Sequence, residues 1–161
     1  MTDTEALVAQ VAQALGSRGW RMATAESCTG GLIAARCTDR AGSSTWFERG
    51  FVTYSNEAKS ELLGVEAQAI AREGAVSATV AQAMAQGALR HSHAQVAVAV
   101  TGIAGPGGAV PGKPVGTVWM GWAVQGEGAG SVLLQLDGDR AAIRNATVQA
   151  ALRKVVELAT A

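Results

Sequence analysis

The chain has 161 residues, 48% of them apolar, and its 13 basic and 13 acidic side chains cancel to a formal charge of zero. That composition suits one compact domain with a hydrophobic core and excludes a disordered tail. A pI near 6.7 provides no broad basic face, so wrapping a nucleic-acid backbone is a poor expectation and any bound anion must be met by a local site.

Two cysteines, Cys28 and Cys37, are too few for a disulfide scaffold, and no charged segment leads into an apolar leader at the start; the expected compartment is the cytoplasm. Polar residues or glycines interrupt every apolar run before the roughly 18 to 20 residues that a membrane span needs, so a soluble protein without a membrane partner is expected.

In chain order, Leu7, Val8, Val11, Ala12 and Leu15 fall at helical spacing and predict an amphipathic helix over Glu5 to Leu15, ended by Gly16 and Gly19. Trp20 to Ala25 reads as a short strand, and Leu32 to about Thr38 as a buried helix, which puts "AESCTGG" (25–31) on a strand-to-helix turn. Phe51 to Tyr54 reads as a second strand, with helices over Asn56 to Leu63 and Ala78 to Arg90. Gln95 to Val100 is an almost unbroken run of small and β-branched residues, the mark of a strand buried on both faces, stopping at Thr101-Gly102. Gly102 to Gly116 holds six glycines and all three prolines and predicts an irregular loop. Val115 to Val124 and Ser131 to Leu136 flank a glycine-rich turn as a hairpin, and Asp139 N-caps a final helix reaching about Leu158. No linker or repeat interrupts the chain. The expectation is a single α/β domain over 1–161 with a mixed, mostly parallel β-sheet flanked by helices on both faces. Trp119, Met120 and Trp122 alternate incompletely around Gly121, so core or a second subunit covers both faces of that strand; a homo-oligomer is the expectation that follows.

Ligands of open α/β sheets gather beyond the carboxyl ends of strands, where glycine loops and helix N-termini present backbone donors. Three segments end that way: Ser27 to Gly31, Tyr54 to Asn56, and Thr101 to Pro106. Any one alone reads as a capped helix or a tight turn. From position alone Ser27 is an N-cap, Lys59 a solvated helix residue, and Tyr54 a core side chain at a strand end.

Taken together, "AESCTGG", "GFVTYSNEAK", "GAVS", "TGIAGP" and "KPVGTVW" resemble the C-terminal domain of the CinA family, in order and spacing, from about Met22 to Arg144. The resemblance implies hydrolysis of the carboxamide of nicotinamide mononucleotide to nicotinate mononucleotide and ammonia, in pyridine nucleotide (NAD) recycling, with neither metal nor cofactor. It places the serine of the reaction on Ser27, the lysine on Lys59 and the nearby tyrosine on Tyr54, and it favours a phosphate-binding arginine at Arg140 of "GDR".

An amide is a poor electrophile, so that chemistry needs an activated nucleophile, a base, oxyanion donors and an acid for ammonia. Ser27 answers as nucleophile, with backbone donors from Cys28 through Gly30 (Thr29 between them) beside it. Lys59 answers as base only if burial lowers its pKa far below the reference of about 10.4. Tyr54 relays a proton or orients the pair. Cys28 is the rival nucleophile, since a thiol near a helix N-terminus ionises more easily; a small buried residue is the other reading. Glu26 orients a donor, binds ribose, or is an ordinary buried hydrogen-bond partner. Asn56, Thr101, Gly102 and Gly105 complete a polar pocket, and Arg140 either clamps phosphate or pairs with Asp137 or Asp139. His91 and His93 stand apart from Cys, Asp or Glu clusters, which suggests no metal site, and no histidine neighbours Ser27 to build a triad. A nucleotide-binding domain without catalysis is the alternative, and a nucleic-acid role in competence or damage ranks last on charge.

Overall fold

The computed structural model describes residues 1–161. The first helix, α1 (Asp3–Arg18), starts earlier than its apolar periodicity predicts because Thr2 and Glu5 form a reciprocal capping box. It also continues past Gly16; the left-handed C-cap is Gly19. β1 (Met22–Glu26) is buried at every position and runs to the edge of the quoted motif. α2 (Leu32–Thr38) has the predicted limits.

β2 (Phe47–Val52) begins four residues before the predicted strand and stops before Thr53 and Tyr54. It is an edge strand paired with β1 alone. Its partly exposed Glu48-Arg49-Gly50 stretch therefore lacks the apolar alternation by which a buried strand is read. α3 (Asn56–Leu63) and α5 (Ala78–Arg90) match their predicted limits, each N-capped by a serine hydroxyl, Ser55 or Ser77. Between them lies α4 (Ala67–Glu73), a short helix that the sequence pattern does not announce.

β3 (Val96–Gly102) sits at the centre of the sheet, followed by β4 (Thr117–Val124) and β5 (Ala129–Gln135), and α6 (Arg140–Thr160) closes the chain. The order is β2-β1-β3-β4-β5. β1 is parallel to β2 and to β3, β3 is antiparallel to β4, and β4 is antiparallel to β5. Only β4 therefore opposes the other four strands. The result is the expected mixed, mostly parallel α/β sheet with helices on both faces.

The alternation along β3 explains the two layers. Val96, Val98 and Val100 join Met22 and Met120 in the core under α1, α2 and α6. Ala97 and Ala99 join Ala23, Ala25 and Ala123 in the core under α3 to α5. The second face is built of small residues because α5 approaches closely: a Cβ at Gly121 would lie 2.3 Å from the Ala81 carbonyl oxygen. On the other face Trp122 is covered from within the chain, its ring lying against Gly130 and under the Lys154 ammonium, 4.1 Å from the ring centroid. No helix is long and apolar enough to cross a membrane.

Strand register sets the place of the site. Glu26 at the end of β1 is opposite Val52 of β2 and Val100 of β3. Beyond it the Thr53 N–H donates to the Glu26 carbonyl (2.9 Å) and the Ser27 N–H to the Val100 carbonyl (3.1 Å). The chain after β1 turns into α2 on one face, and the chain after β2 turns into α3 on the other. A crevice opens where adjacent strands send their helices to opposite faces.

Candidate active site

Ser27 stands one residue beyond β1 and is buried. It does not cap α2, which begins five residues later with Gly31 in the N-cap position and no side-chain cap there. Two consecutive glycines of positive φ, Gly30 (59°) and Gly31 (104°), make the turn that lets the chain reverse before the helix. The acceptor that the helix lacks at its cap comes from Glu26. One carboxylate oxygen accepts from the Ile33 N–H (2.8 Å) and the Thr29 hydroxyl (2.5 Å), and the other accepts from the Ala34 N–H (3.0 Å). A buried carboxylate at a helix N-terminus satisfies orphan donors and complements the macrodipole. Glu26 thus lies beneath the loop, holding it to α2, and does not line the cavity.

α3 brings Lys59 under Ser27. The side chain is almost wholly buried, 1% exposed. Its Nζ is 3.0 Å from Ser27 Oγ and donates to the carbonyls of Thr53 and Tyr54, each at 3.1 Å. Burial disfavours the ammonium and lowers the Lys59 pKa below its ordinary value. The solvated helix residue suggested by position alone is therefore not what the fold makes of Lys59. Tyr54 orients the amine through its main-chain oxygen, and the residue itself is 63% exposed at the rim and not packed in the core.

These residues line a cavity of about 210 Å³, together with Cys28, Asn56, Thr101, Gly102 and Arg140. Ala75, Val76 and Ala104 complete it. The first two lie in "GAVS", to which sequence reasoning assigned no role, and Thr101 holds that segment by donating its hydroxyl to the Ala75 carbonyl at 3.0 Å. Arg140 donates one N–H to the Gly105 carbonyl (2.8 Å), so Gly105 supports an arginine of the cavity from outside it. Arg140 makes no ion pair with Asp137 or Asp139; Asp139 instead N-caps α6 through the Ala142 N–H. Thr29 and Gly30 also stay outside the cavity wall. The Gly30 N–H is taken by the Ser27 carbonyl (3.0 Å), whereas the N–H groups of Cys28 and Thr29 meet no acceptor elsewhere in the chain.

Burial pushes the Cys28 thiol up to about 11. At neutral pH only roughly one molecule in ten thousand would carry the thiolate, the reverse of an activated cysteine. A larger groove of about 740 Å³ runs between α1, α2 and α6, lined by Leu32, Arg36, Arg40 and Arg144 among others. It contains neither Ser27 nor Lys59. The smaller cavity is the one with reactive groups facing each other, and chemistry follows groups, not volume.

The model of the CinA C-terminal domain matches residues 4–159. The chain belongs to the CinA C-terminal domain family. Within this family it is 52% identical over 156 residues to the nicotinamide-nucleotide amidohydrolase PncC of Escherichia coli K12, covering 95% of this chain and 94% of that one. A CinA-like protein of Akkermansia muciniphila is 51% identical over 143 residues, which are 89% of this chain but only 34% of that longer protein. Among solved structures, the competence/damage inducible protein CihA of Agrobacterium tumefaciens superposes with a TM-score of 0.95 at 45% identity, over 98% of this chain and 96% of that one. A CinA superfamily protein of Klebsiella pneumoniae superposes with a TM-score of 0.94 at 38% identity, over 99% of each chain. The CinA resemblance of the five sequence motifs is thereby borne out.

Proposed function

We propose that this chain is a nicotinamide-nucleotide amidase in pyridine nucleotide recycling, acting through Ser27 and Lys59. The observation that carries the reading is a buried amine 3.0 Å from a buried serine hydroxyl at the carboxyl edge of a parallel sheet. The similarity over 94–95% of the chain to proteins named as nicotinamide-nucleotide amidohydrolases supports the choice of substrate.

Neutral Lys59 has two N–H bonds and one lone pair. The carbonyls of Thr53 and Tyr54 take the two N–H bonds, which leaves the lone pair for the Ser27 O–H. Lys59 removes that proton as Ser27 Oγ adds to the carboxamide carbon. The N–H of Cys28, the residue after Ser27 and part of the cavity wall, is the donor for the oxyanion. Lys59 then returns the proton to the departing nitrogen, ammonia leaves, and Ser27 holds an ester. Water, deprotonated by the same amine, cleaves that ester to nicotinate mononucleotide and restores the serine.

A cavity of about 210 Å³ fits the pyridine carboxamide end and leaves ribose phosphate to extend across the rim. Arg140 is the cation on that side, and only one of its N–H groups is engaged by Gly105. Tyr54 and Asn56 flank the entrance. The test is ammonia release by the purified protein from nicotinamide mononucleotide, its riboside and free nicotinamide. The expected order of kcat/KM is mononucleotide first, by about tenfold or more over the riboside, because a phosphate contact is charge-assisted. No ammonia from the mononucleotide, or equal hydrolysis of all three, overturns the proposal.

A further inference from the structure

Thr101 lines the cavity and is 1% exposed. Its place beside Ser27 follows from the sheet. Glu26 is opposite Val100, and the bond from the Ser27 N–H to the Val100 carbonyl (3.1 Å) carries the parallel ladder one step further. Thr101 is therefore the neighbour of Ser27 on the next strand, at the strand spacing of about 4.8 Å. By alternation both side chains fall on the face of Ala25 and Ala99, under α3 to α5. Lys59 is anchored on the other side of Ser27, on the carbonyls that follow β2. Ser27 thus lies between an amine and a hydroxyl.

That hydroxyl has only one sense. A carbonyl can only accept, so the hydrogen bond to the Ala75 oxygen commits the Thr101 proton. No group of the chain donates to Thr101 Oγ1, and what the oxygen offers the cavity is lone pairs alone. The Ala75 carbonyl is itself held in place by its neighbours. The Lys113 ammonium donates to the Glu73 carbonyl (2.9 Å) and the Ser77 hydroxyl to the Gly74 carbonyl (2.8 Å), so side chains pin three successive carbonyls of this segment. A primary carboxamide brings two N–H bonds to such an acceptor. A carboxylate brings none, and to receive it the Thr101 hydroxyl must turn round and leave the Ala75 oxygen unpaired, at a cost comparable to one hydrogen bond.

We propose that Thr101 distinguishes the carboxamide substrate from its carboxylate product: Thr101 Oγ1 accepts one N–H of the substrate amide while the Cys28 N–H holds the carbonyl oxygen. The inference rests on the amidase reading above. The same contact orients the leaving group. Once the carbon is tetrahedral, a nitrogen held through one N–H keeps its lone pair for the proton that Lys59 returns, and the C–N electron pair departs with ammonia. The product has lost both N–H bonds and with them this partner, which favours its release.

The test is calorimetric affinity in a Ser27→Ala background, where nothing is turned over. The ligands are nicotinamide mononucleotide, nicotinate mononucleotide, and the methyl ketone in which CH3 replaces the amide NH2 at similar size and equal charge. With Thr101 intact the carboxamide should bind about tenfold or more tighter than the ketone. Thr101→Val, of the same shape without lone pairs, should bring that preference within about twofold and lower the carboxamide-to-carboxylate affinity ratio by about tenfold. Thr101→Ser should keep both ratios. Lys113→Met loosens the same segment from outside the cavity and is the measure of a merely structural role; it should leave both ratios unchanged. A carboxamide preference that survives Thr101→Val, or that Lys113→Met removes equally, overturns the role of Thr101 while the nucleotide still binds. Failure of all three ligands to bind, or undiminished ammonia release by Ser27→Ala, instead overturns the amidase reading beneath it.

Discussion

Lys59 Nζ and Ser27 Oγ lie 3.0 Å apart across 32 residues of sequence, joined because adjacent parallel strands end in register. The amine is buried and its pKa is lowered by that burial, so the base form is available below the pH at which a free lysine loses its proton. Lys59→Arg, with a guanidinium that stays charged, should abolish hydrolysis, and the acid limb of the wild-type kcat profile should lie below about pH 10.4, the lysine reference. Near-wild-type turnover in Lys59→Arg contradicts the base assignment; steady-state kinetics across pH decide it.

The same burial links stability to pH. Lys59 binds its proton less tightly in the folded chain than at its ordinary value of 10.5, so between the folded and unfolded pKa values the unfolded chain holds more proton. Stability contributed at this site therefore rises with pH through that window and is lost as pH falls toward the folded pKa. The unfolding free energy of wild type minus that of Lys59→Met should climb with pH, with a slope approaching about 1.4 kcal/mol per pH unit at most. Denaturant titrations over a pH series measure it, and a flat or falling difference contradicts the linkage.

Glu26 accepts three hydrogen bonds with two oxygens. In Glu26→Gln the amide nitrogen replaces one acceptor and faces a backbone or hydroxyl donor. The expected loss is about 2 kcal/mol, or a fall in Tm of about 4–8 °C for a chain of this size. Calorimetry checks this, and an unchanged Tm would show that α2 finds another cap.

Arg140 separates substrate size from chemistry. Arg140→Ala should raise KM for nicotinamide mononucleotide by about 10- to 100-fold, the worth of a charge-assisted contact, and leave KM for the riboside nearly unchanged. Equal losses on the two substrates would move the phosphate elsewhere.

The elements with one clear physical signature were legible from sequence. The Val/Ala alternation of β3 showed burial on both faces, and the helix-forming runs of α3 and α5 carried their own limits. β2 was misplaced because an edge strand is partly solvated, and α4 was missed because a short helix between glycines has no apolar period to read. The cavity residues Ser27, Cys28, Tyr54, Asn56, Lys59, Thr101, Gly102 and Arg140 do meet in space. Their sequence signal was the motif set, since each alone reads as a cap or a surface residue. The burial of Lys59 and the part of Glu26 beneath the loop depend on how strands register, which no local pattern encodes. Arg144 donates to the Cys28 and Thr29 carbonyls, 116 and 115 residues away; nothing near it in sequence announces the contact.

The account depends most on which atom attacks the amide, and neighbouring residues offer the choice. Ammonia release from saturating nicotinamide mononucleotide should be compared in wild type, Ser27→Ala and Cys28→Ala, with nucleotide binding followed calorimetrically. The prediction is a loss of about 1,000-fold or more in Ser27→Ala with binding retained, and a Cys28→Ala rate within about threefold of wild type. Hydrolysis that survives Ser27→Ala, or that disappears with Cys28→Ala in a protein that still folds and binds, would contradict it.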